Sequence, residues 1–317
     1  MRKLETNRIY NKDCIVGMQE MDENSVDLII ADPPYNLSKS KKLSYNTEDR
    51  LSGMGGNWII TDERWDDMPL SDYMSFTEKW LSEAKRILKP TGSMWIFGTY
   101  HNIGIVNILC QKFEIEIINE VVWFKRNAFP NLSGRCLTAS HETILWCHSG
   151  GSRHRKYFFD YEYSKSGDFS YDGLKAEGKQ MRTVWDIPNN KKSEELQYGK
   201  HPTQKPLRVL DRMIRLSSRE NDIVFTPFAG AGSECVAAKM AGRRYLGFEL
   251  EEDYCRIAEK RLSHVQEDKI LKFDIIDENI ESSSDAFDDL TAENVKDFDL
   301  AVKNYKHGIV YPLKMED

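Results

Sequence analysis

No run of about 18 consecutive apolar residues occurs anywhere in the 317-residue chain, so a membrane-spanning helix is not expected. The opening Met1-Arg2-Lys3-Leu4-Glu5-Thr6 lacks the apolar stretch of a secretory signal, and the expected location is cytoplasmic. The six cysteines, at 14, 110, 136, 147, 235 and 255, include no C-x-x-C pair. That argues against a zinc or thioredoxin-like motif and for reduced core residues. The seven histidines show neither H-x-x-x-H nor H-E-x-x-H spacing, so no metal site is expected, and His141 and His201 read as structural. Internal repeats and low-complexity tracts are absent too.

Basic charge also looks scarce, with a net −7. The average misleads, because residues 265–317 carry 14 acidic and 6 basic side chains, a local −8, and leave the remainder at +1. The acidity belongs to a C-terminal extension, and the body stays free to offer a basic face to phosphate. The extension reads as an accessory segment folded on the body or a partner, or as a brake on non-specific binding by charge repulsion.

What is present is ample apolar material, 40% of the chain, enough for one large α/β domain or two smaller ones. Strands are expected at 26–31, 93–97, 115–124, 142–147, 223–228 and 244–249, and helices at 71–88 (with Ser71 as N-cap), 207–216, 233–240 and 252–262. This alternation predicts a mainly parallel sheet. Residues 36–67 read as a long polar, glycine-containing loop, and 152–200 as a charged and aromatic insertion.

Two motifs carry chemistry. The first is Asp32-Pro33-Pro34-Tyr35, at the end of the strand over 26–31, where open α/β sheets bind their ligands. The exocyclic amine of a nucleobase is a poor nucleophile, because its lone pair is delocalised into the ring. A carboxylate and a backbone carbonyl, each accepting one N–H, favour a pyramidal nitrogen with its lone pair aimed at an electrophile. Asp32 and the Pro33 carbonyl supply those acceptors, the two prolines fix their directions, and Tyr35 offers a flat face to an extruded base. A plain strand-to-loop turn is the alternative reading of the same residues.

The second motif is Phe228-Ala229-Gly230-Ala231-Gly232-Ser233, between an expected strand and helix. Gly230 and Gly232 would allow close approach of a ligand at the helix N-terminus. Seventeen residues beyond Gly232, at the end of the next strand, stands Glu249, where a dinucleotide-type fold places an acid on ribose hydroxyls. Cys235 replaces the third glycine of the NAD fingerprint, so a nucleoside without pyrophosphate, such as S-adenosylmethionine, fits as well.

Taken together, residues 7–263 resemble the DNA amino-methyltransferases, which methylate adenine N6 or cytosine N4. The D-P-P-Y segment precedes the F-x-G-x-G segment with a variable region between, the order of the β group. Four further segments agree: Tyr10 to Cys14, Arg86 to Ser93, the pair Asn119 to Asn127 and His141 to Trp146, and His201 to Pro206. The resemblance implies the S-adenosylmethionine-dependent methyltransferase fold, Rossmann-like and circularly permuted, with a mainly parallel seven-stranded sheet flanked by helices. It divides the chain into a catalytic half (1–151), an inserted target-recognition region (152–200), a cofactor-binding half (201–264) and the acidic extension (265–317).

The resemblance further implies a catalytic set of Asp32, Pro33, Pro34 and Tyr35. S-adenosylmethionine would be held by Asp13, Asp32, Lys205, Phe228, Gly230, Gly232, Ser233 and Glu249. Double-stranded DNA would meet Lys39, Lys41, Arg153, Arg155, Lys156, Lys179 and Arg182. A homodimer and a cognate restriction endonuclease are partners the family admits. Asp rather than Ser at position 32 favours adenine, with cytosine N4 as the alternative. Methylation of RNA or a protein glutamine, where Asn usually comes first, fits less well. One departure stands out: Thr226 occupies the position where the family usually has Asp before Pro-Phe. A carboxylate there would help hold the cofactor loop, and its loss leaves a non-catalytic DNA-binding protein as the rival of another class.

Overall fold

Every residue from Val26 to Ala31 except Asp27 is buried, which is what an interior strand of a parallel sheet requires. Leu28 and Ile30 face one apolar core, and Ile29 and Ala31 face the other. The computed structural model that shows this describes residues 4–36, 68–128, 135–150, 155–166, 172, 176, 178–189, 193–199, 201 and 203–265. The expected loop beyond residue 36 up to 67, and the acidic extension from 266 onward, lie outside the described residues.

In chain order the elements are β1 (Arg8–Asn11), α1 (Cys14–Gln19), β2 (Val26–Ala31), α2 (Leu70–Ile87), β3 (Leu88–Gly98), α3 (Ile103–Lys112), β4 (Glu116–Phe124) and β5 (His141–His148). Then follow α4 (Tyr163–Ser166), β6 (Val184–Asp186), α5 (Ser193–Leu196), α6 (Leu207–Ser217), β7 (Ile223–Thr226), α7 (Ser233–Met240), β8 (Arg244–Glu249) and α8 (Glu252–Ser263). They form an eight-stranded sheet in the order β1-β8-β7-β2-β3-β5-β4-β6. Pairing is parallel except on the two sides of β5, so the sheet is mixed and, as expected, mainly parallel. Its strand count exceeds seven by one. Trp80, Ala84, Val106 and Leu109 of α2 and α3 cover one face, and Leu210, Val236 and Ala258 of α6, α7 and α8 cover the other.

Some local expectations shift for identifiable reasons. The N-cap of α2 is Pro69 rather than Ser71, and Ser71 lies in the first turn with its hydroxyl on Asp72. Strand β3 starts at Leu88 and runs through Pro90 and Gly92, because Leu88 pairs with Val26 before the main register resumes at Ser93. Strand β7 stops at Thr226, since Pro227 cannot donate to the ladder. Five of the six cysteines are buried as expected, but Cys136 is exposed.

Part of the 152–200 insertion belongs to the body. Tyr157 and Phe159 pack on Trp146 at ring distances of 5.3 and 5.5 Å, and Trp185 on β6 is buried at the sheet edge beside β4. The insertion therefore does not rest on a core of its own among these residues. Among the described residues, no helix is long and apolar enough to cross a membrane.

The crossovers set the site. Strand β7 leads to β8 on one side and β2 leads to β3 on the other, so the connections diverge at the carboxyl ends of β7 and β2. Such a divergence opens a crevice beyond the strand ends.

Candidate active site

That crevice holds a cavity of about 350 Å³, walled by Asp32 to Tyr35 after β2, Pro227 to Ala231 after β7, and Glu249 to Glu251 after β8. Its size suits a nucleoside-sized ligand. Both sequence motifs, 196 residues apart at their first members, thus meet in one place.

Asp32 stands at the end of β2 with both carboxylate oxygens engaged. Oδ1 accepts from the Tyr35 hydroxyl at 2.7 Å, and Oδ2 accepts from Lys205 Nζ at 2.6 Å. Tyr35 Oη also lies 3.0 Å from Glu142 Oε2. Glu142, at the start of β5, receives Lys125 Nζ on Oε1 at 3.1 Å and lies 3.8 Å from Lys205 Nζ. Two carboxylates and two ammonium groups therefore bracket one phenol. Pro34 is fixed from behind, because its carbonyl accepts from the Tyr73 hydroxyl at 2.8 Å.

The electrostatics follow from this arrangement. Burial pushes Asp32 above the usual carboxylate range, against Lys205 and with the help of Glu142. Glu142 is opposed by burial as well, but Lys205 and Lys125 outweigh it and hold the group low. Burial would lower Lys205, and its two carboxylate neighbours reverse that and raise it. Tyr35 is raised by burial and then by both acids, so its phenol stays protonated.

The glycine turn is built differently from a simple approach surface. Gly230, at φ +49, lines the cavity, and a Cβ there would stand 3.5 Å from the His201 ring. Gly232 is not on the cavity wall. It caps α7 at φ +75, and a Cβ would fall 2.8 Å from the Ala258 Cβ, so helix packing is what demands glycine. Glu249 grips the turn: Oε2 accepts from Gly230 N at 2.7 Å and Oε1 from Glu251 N at 2.8 Å. Arg261 holds it from below, donating to the Ala231 carbonyl at 2.5 Å and to Ser233 Oγ at 3.0 Å. Thr226 is buried with its hydroxyl unpartnered, so the loop is held by Glu249 and Arg261 and not from position 226.

The remaining expected residues divide. Asp13 reaches the cavity wall, with Oδ1 committed to capping α1 through Ile15 N and Val16 N, both at 3.0 Å. Phe228 lines the cavity and packs on Trp80 at 5.6 Å. Lys205, expected with the cofactor set, has its ammonium on Asp32. Of the expected DNA-facing residues, Arg155 is paired with Glu116, while Lys156, Lys179 and Arg182 are exposed. Lys39, Lys41 and Arg153 lie outside the described residues.

Two acids in the site were not singled out by the sequence. Glu142 sits within a matched segment as the one acid of strand β5, just before its apolar run Ile144 to Cys147, which is a usable signal. Glu234, in the first turn of α7, is buried on the cavity wall, and burial and Asp32 push it up to about 8. The unfolded chain would lose that proton near the ordinary value of 4.5. The folded state thus holds the extra proton, and its contribution falls as pH rises from the ordinary range to about 8. Glu234→Gln is expected to be stabilising at pH 8 relative to the parent and nearly neutral at pH 5, read from paired thermal melts. A variant equally shifted at both pH values would contradict this.

Comparison with known proteins agrees with the geometry. The profile of the N6/N4 family described as DNA methylase matches residues 26–260. Type II methyltransferase M.HinfI of Haemophilus influenzae is 38% identical over 264 residues, 82% of this chain and 69% of that protein. Type II methyltransferase M2.DpnII of Streptococcus pneumoniae is 38% identical over 258 residues, 80% of this chain and 88% of that one. In structure, an M1.HpyAVI–SAM complex gives a TM-score of 0.54 at 23% identity, covering 80% of this chain and 98% of that chain. The cytosine-N4-specific PvuII DNA methyltransferase gives 0.59 at 16% identity, covering 90% and 93%. These structural likenesses show the shared fold. With three quarters of its length matched by the family profile and the two motifs joined in one cavity, the chain belongs to the N6/N4 DNA methylase family.

Proposed function

We propose that this DNA methylase transfers the methyl group of S-adenosylmethionine to adenine N6 in a specific site of double-stranded DNA, within a restriction-modification system. The observation that carries the reading is the Asp32 carboxylate, aimed into the same cavity as the glycine turn and Glu249. Adenine is favoured over cytosine by Asp at the head of the tetrapeptide.

The residues fit the cofactor. Glu249, already oriented by two backbone N–H groups, keeps lone pairs for ribose hydroxyls. Gly230, Phe228, Asp13 and Ser233 shape the nucleoside wall, and Gly232 supports the turn from behind. When bound, the cofactor supplies an electrophilic methyl group. The chain's own residues do the rest. The target base leaves the stack and enters beside Tyr35. Asp32 and the Pro33 carbonyl accept the two amino hydrogens and direct the nitrogen lone pair. Lys205 and Tyr35 hold Asp32 in one orientation, so little reorganisation accompanies the reaction.

The division into catalytic half, target-recognition insertion, cofactor half and acidic extension is part of the same proposal. So are a cytoplasmic location on chromosomal DNA, a homodimeric state and a cognate endonuclease. Arg155, Lys156, Lys179 and Arg182 are the described residues assigned to DNA contact, and Lys39, Lys41 and Arg153 complete the assignment.

Nucleoside analysis of DNA from cells expressing the chain tests the reading. 6-Methyladenine above the non-expressing control is the expected result. 4-Methylcytosine would keep the family chemistry and reverse the base. Soluble protein with no modified base would overturn the proposal.

A further inference from the structure

Counting hydrogens across the Asp32–Tyr35–Glu142 chain exposes a shortage. Tyr35 Oη lies 2.7 Å from Asp32 Oδ1 and 3.0 Å from Glu142 Oε2. Both distances are hydrogen-bond distances, yet one phenol carries one hydrogen. With both acids ionised, one of the two contacts sets a lone pair against a carboxylate. A single additional proton satisfies both, because Asp32 can then donate to Tyr35 while Tyr35 donates to Glu142.

The reaction proposed above releases one proton. As the new C–N bond forms and the methyl C–S bond breaks, the nitrogen acquires positive charge and sheds one N–H proton. Asp32 is the carboxylate that meets the amine. We propose that Glu142, acting through the Tyr35 hydroxyl, completes a relay that lets Asp32 receive this proton, which makes Glu142 a positioning residue for methyl transfer. The N–H proton passes to Asp32, and Asp32 then donates to Tyr35 Oη as the Tyr35 hydroxyl turns its own hydrogen to Glu142 Oε2, which stays ionised beside Lys125 and Lys205. Atoms and charge balance: one proton leaves the nitrogen and one carboxylate of the pair is neutralised.

The surroundings suit a one-proton store. Lys205 faces Asp32 from the segment before α6, Lys125 faces Glu142 from the end of β4, and Glu234 acts on Asp32 from α7. The two ammonium groups balance the two carboxylates before reaction, and the relay becomes net positive by one only while loaded. Glu142 also raises the proton affinity of Asp32. Glu142 is mostly buried but not sealed, with 12% of its side chain exposed, so the relay has an outlet.

The inference rests on the methyltransferase reading, and the test separates the two. Single-turnover methyl transfer is measured against pH for the full chain, for Glu142→Gln and for Tyr35→Phe, with cofactor affinity by calorimetry as the folding control. Glutamine still accepts from Tyr35 but lacks the charge that draws the Tyr35 hydrogen away from Asp32. Relay function therefore predicts that Glu142→Gln loses about as much rate as Tyr35→Phe, on the order of 100-fold, the lower end of what a positioned acid–base group contributes. The double variant should lose no more than either single one. The acid limb of the pH profile should move to lower pH in Glu142→Gln, because Asp32 loses its carboxylate neighbour. A Glu142→Gln rate and acid limb like the parent's would overturn the relay and leave Glu142 an anchor for the ring. Should Glu142→Gln not fold, Tyr35→Phe decides alone through the solvent isotope effect: smaller than the parent's supports the relay, equal to it sinks it. Absence of methyl transfer in the parent chain would instead refute the enzymatic reading.

Discussion

Asp32→Asn is expected to lower the rate of methyl transfer by about 10²- to 10⁴-fold, the range removed with a general base or a matched charge at a reacting centre. The side chain stays nearly isosteric. One amide oxygen can still accept an N–H of the substrate amine, so loss of charge is isolated from loss of shape. The amide must present its NH₂ to either Tyr35 or Lys205, which both donate to Asp32 in the native site. That mismatch adds a stability loss of about 1–3 kcal/mol, visible in thermal melts. Kinetically, kcat and kcat/KM should fall together, because the interaction is made with charge that develops in the transition state. Radiolabelled methyl transfer to a DNA duplex, measured at saturating and limiting cofactor, gives both quantities. An unchanged kcat with a raised KM for the cofactor would demote Asp32 to a binding residue.

The division between what the sequence discloses and what it conceals has a physical basis. Strands such as β2 and β8 are legible because burial on both faces forces continuous apolar runs. The helix–strand junction at Leu88 is not, because the boundary that Pro90 normally marks is overridden by pairing of Leu88 with Val26. Strand β6 is three residues long, and its place at the sheet edge comes from β4, 62 residues earlier at the Val122–Val184 pair. In the site, Asp32, Tyr35 and Glu249 are legible because each sits at a strand end in a dense local motif. The partnership of Lys205 with Asp32 spans 173 residues, and that of Tyr35 with Glu142 spans 107. Local pattern carries no trace of such pairs. Gly232, expected to face the ligand, is instead pressed by Ala258, since a G-x-G turn announces positive φ without saying whether ligand or helix presses on it.

Lys205→Met should be the most damaging single change to stability among the site residues. The lysine side chain is 3% exposed, and its ammonium is the nearest counter-charge to Asp32 and the second to Glu142. Removing one partner of a buried ion pair leaves an uncompensated charge and costs about 3–5 kcal/mol. For a domain of this size each kcal/mol moves Tm by roughly 2–4 °C, so a fall of about 10 °C at neutral pH is expected. The pH dependence fixes the cause. Glu142 is held low by Lys205 and Lys125 in the native protein, so its pairing stabilises the fold above the ordinary carboxylate range and is lost on acidification. Without Lys205, burial lifts both acids in the folded state. An acid raised in this way loses stability as pH rises from its unfolded to its folded value, so the deficit of the variant should be largest near pH 8 and shrink toward pH 5. Methyl transfer should fail as well, since Asp32 would hold its proton at neutral pH and could not accept one from the amine. Equal deficits at pH 5 and pH 8 would mean that Lys205 acts by filling space, and the charge pairing would then explain neither stability nor catalysis.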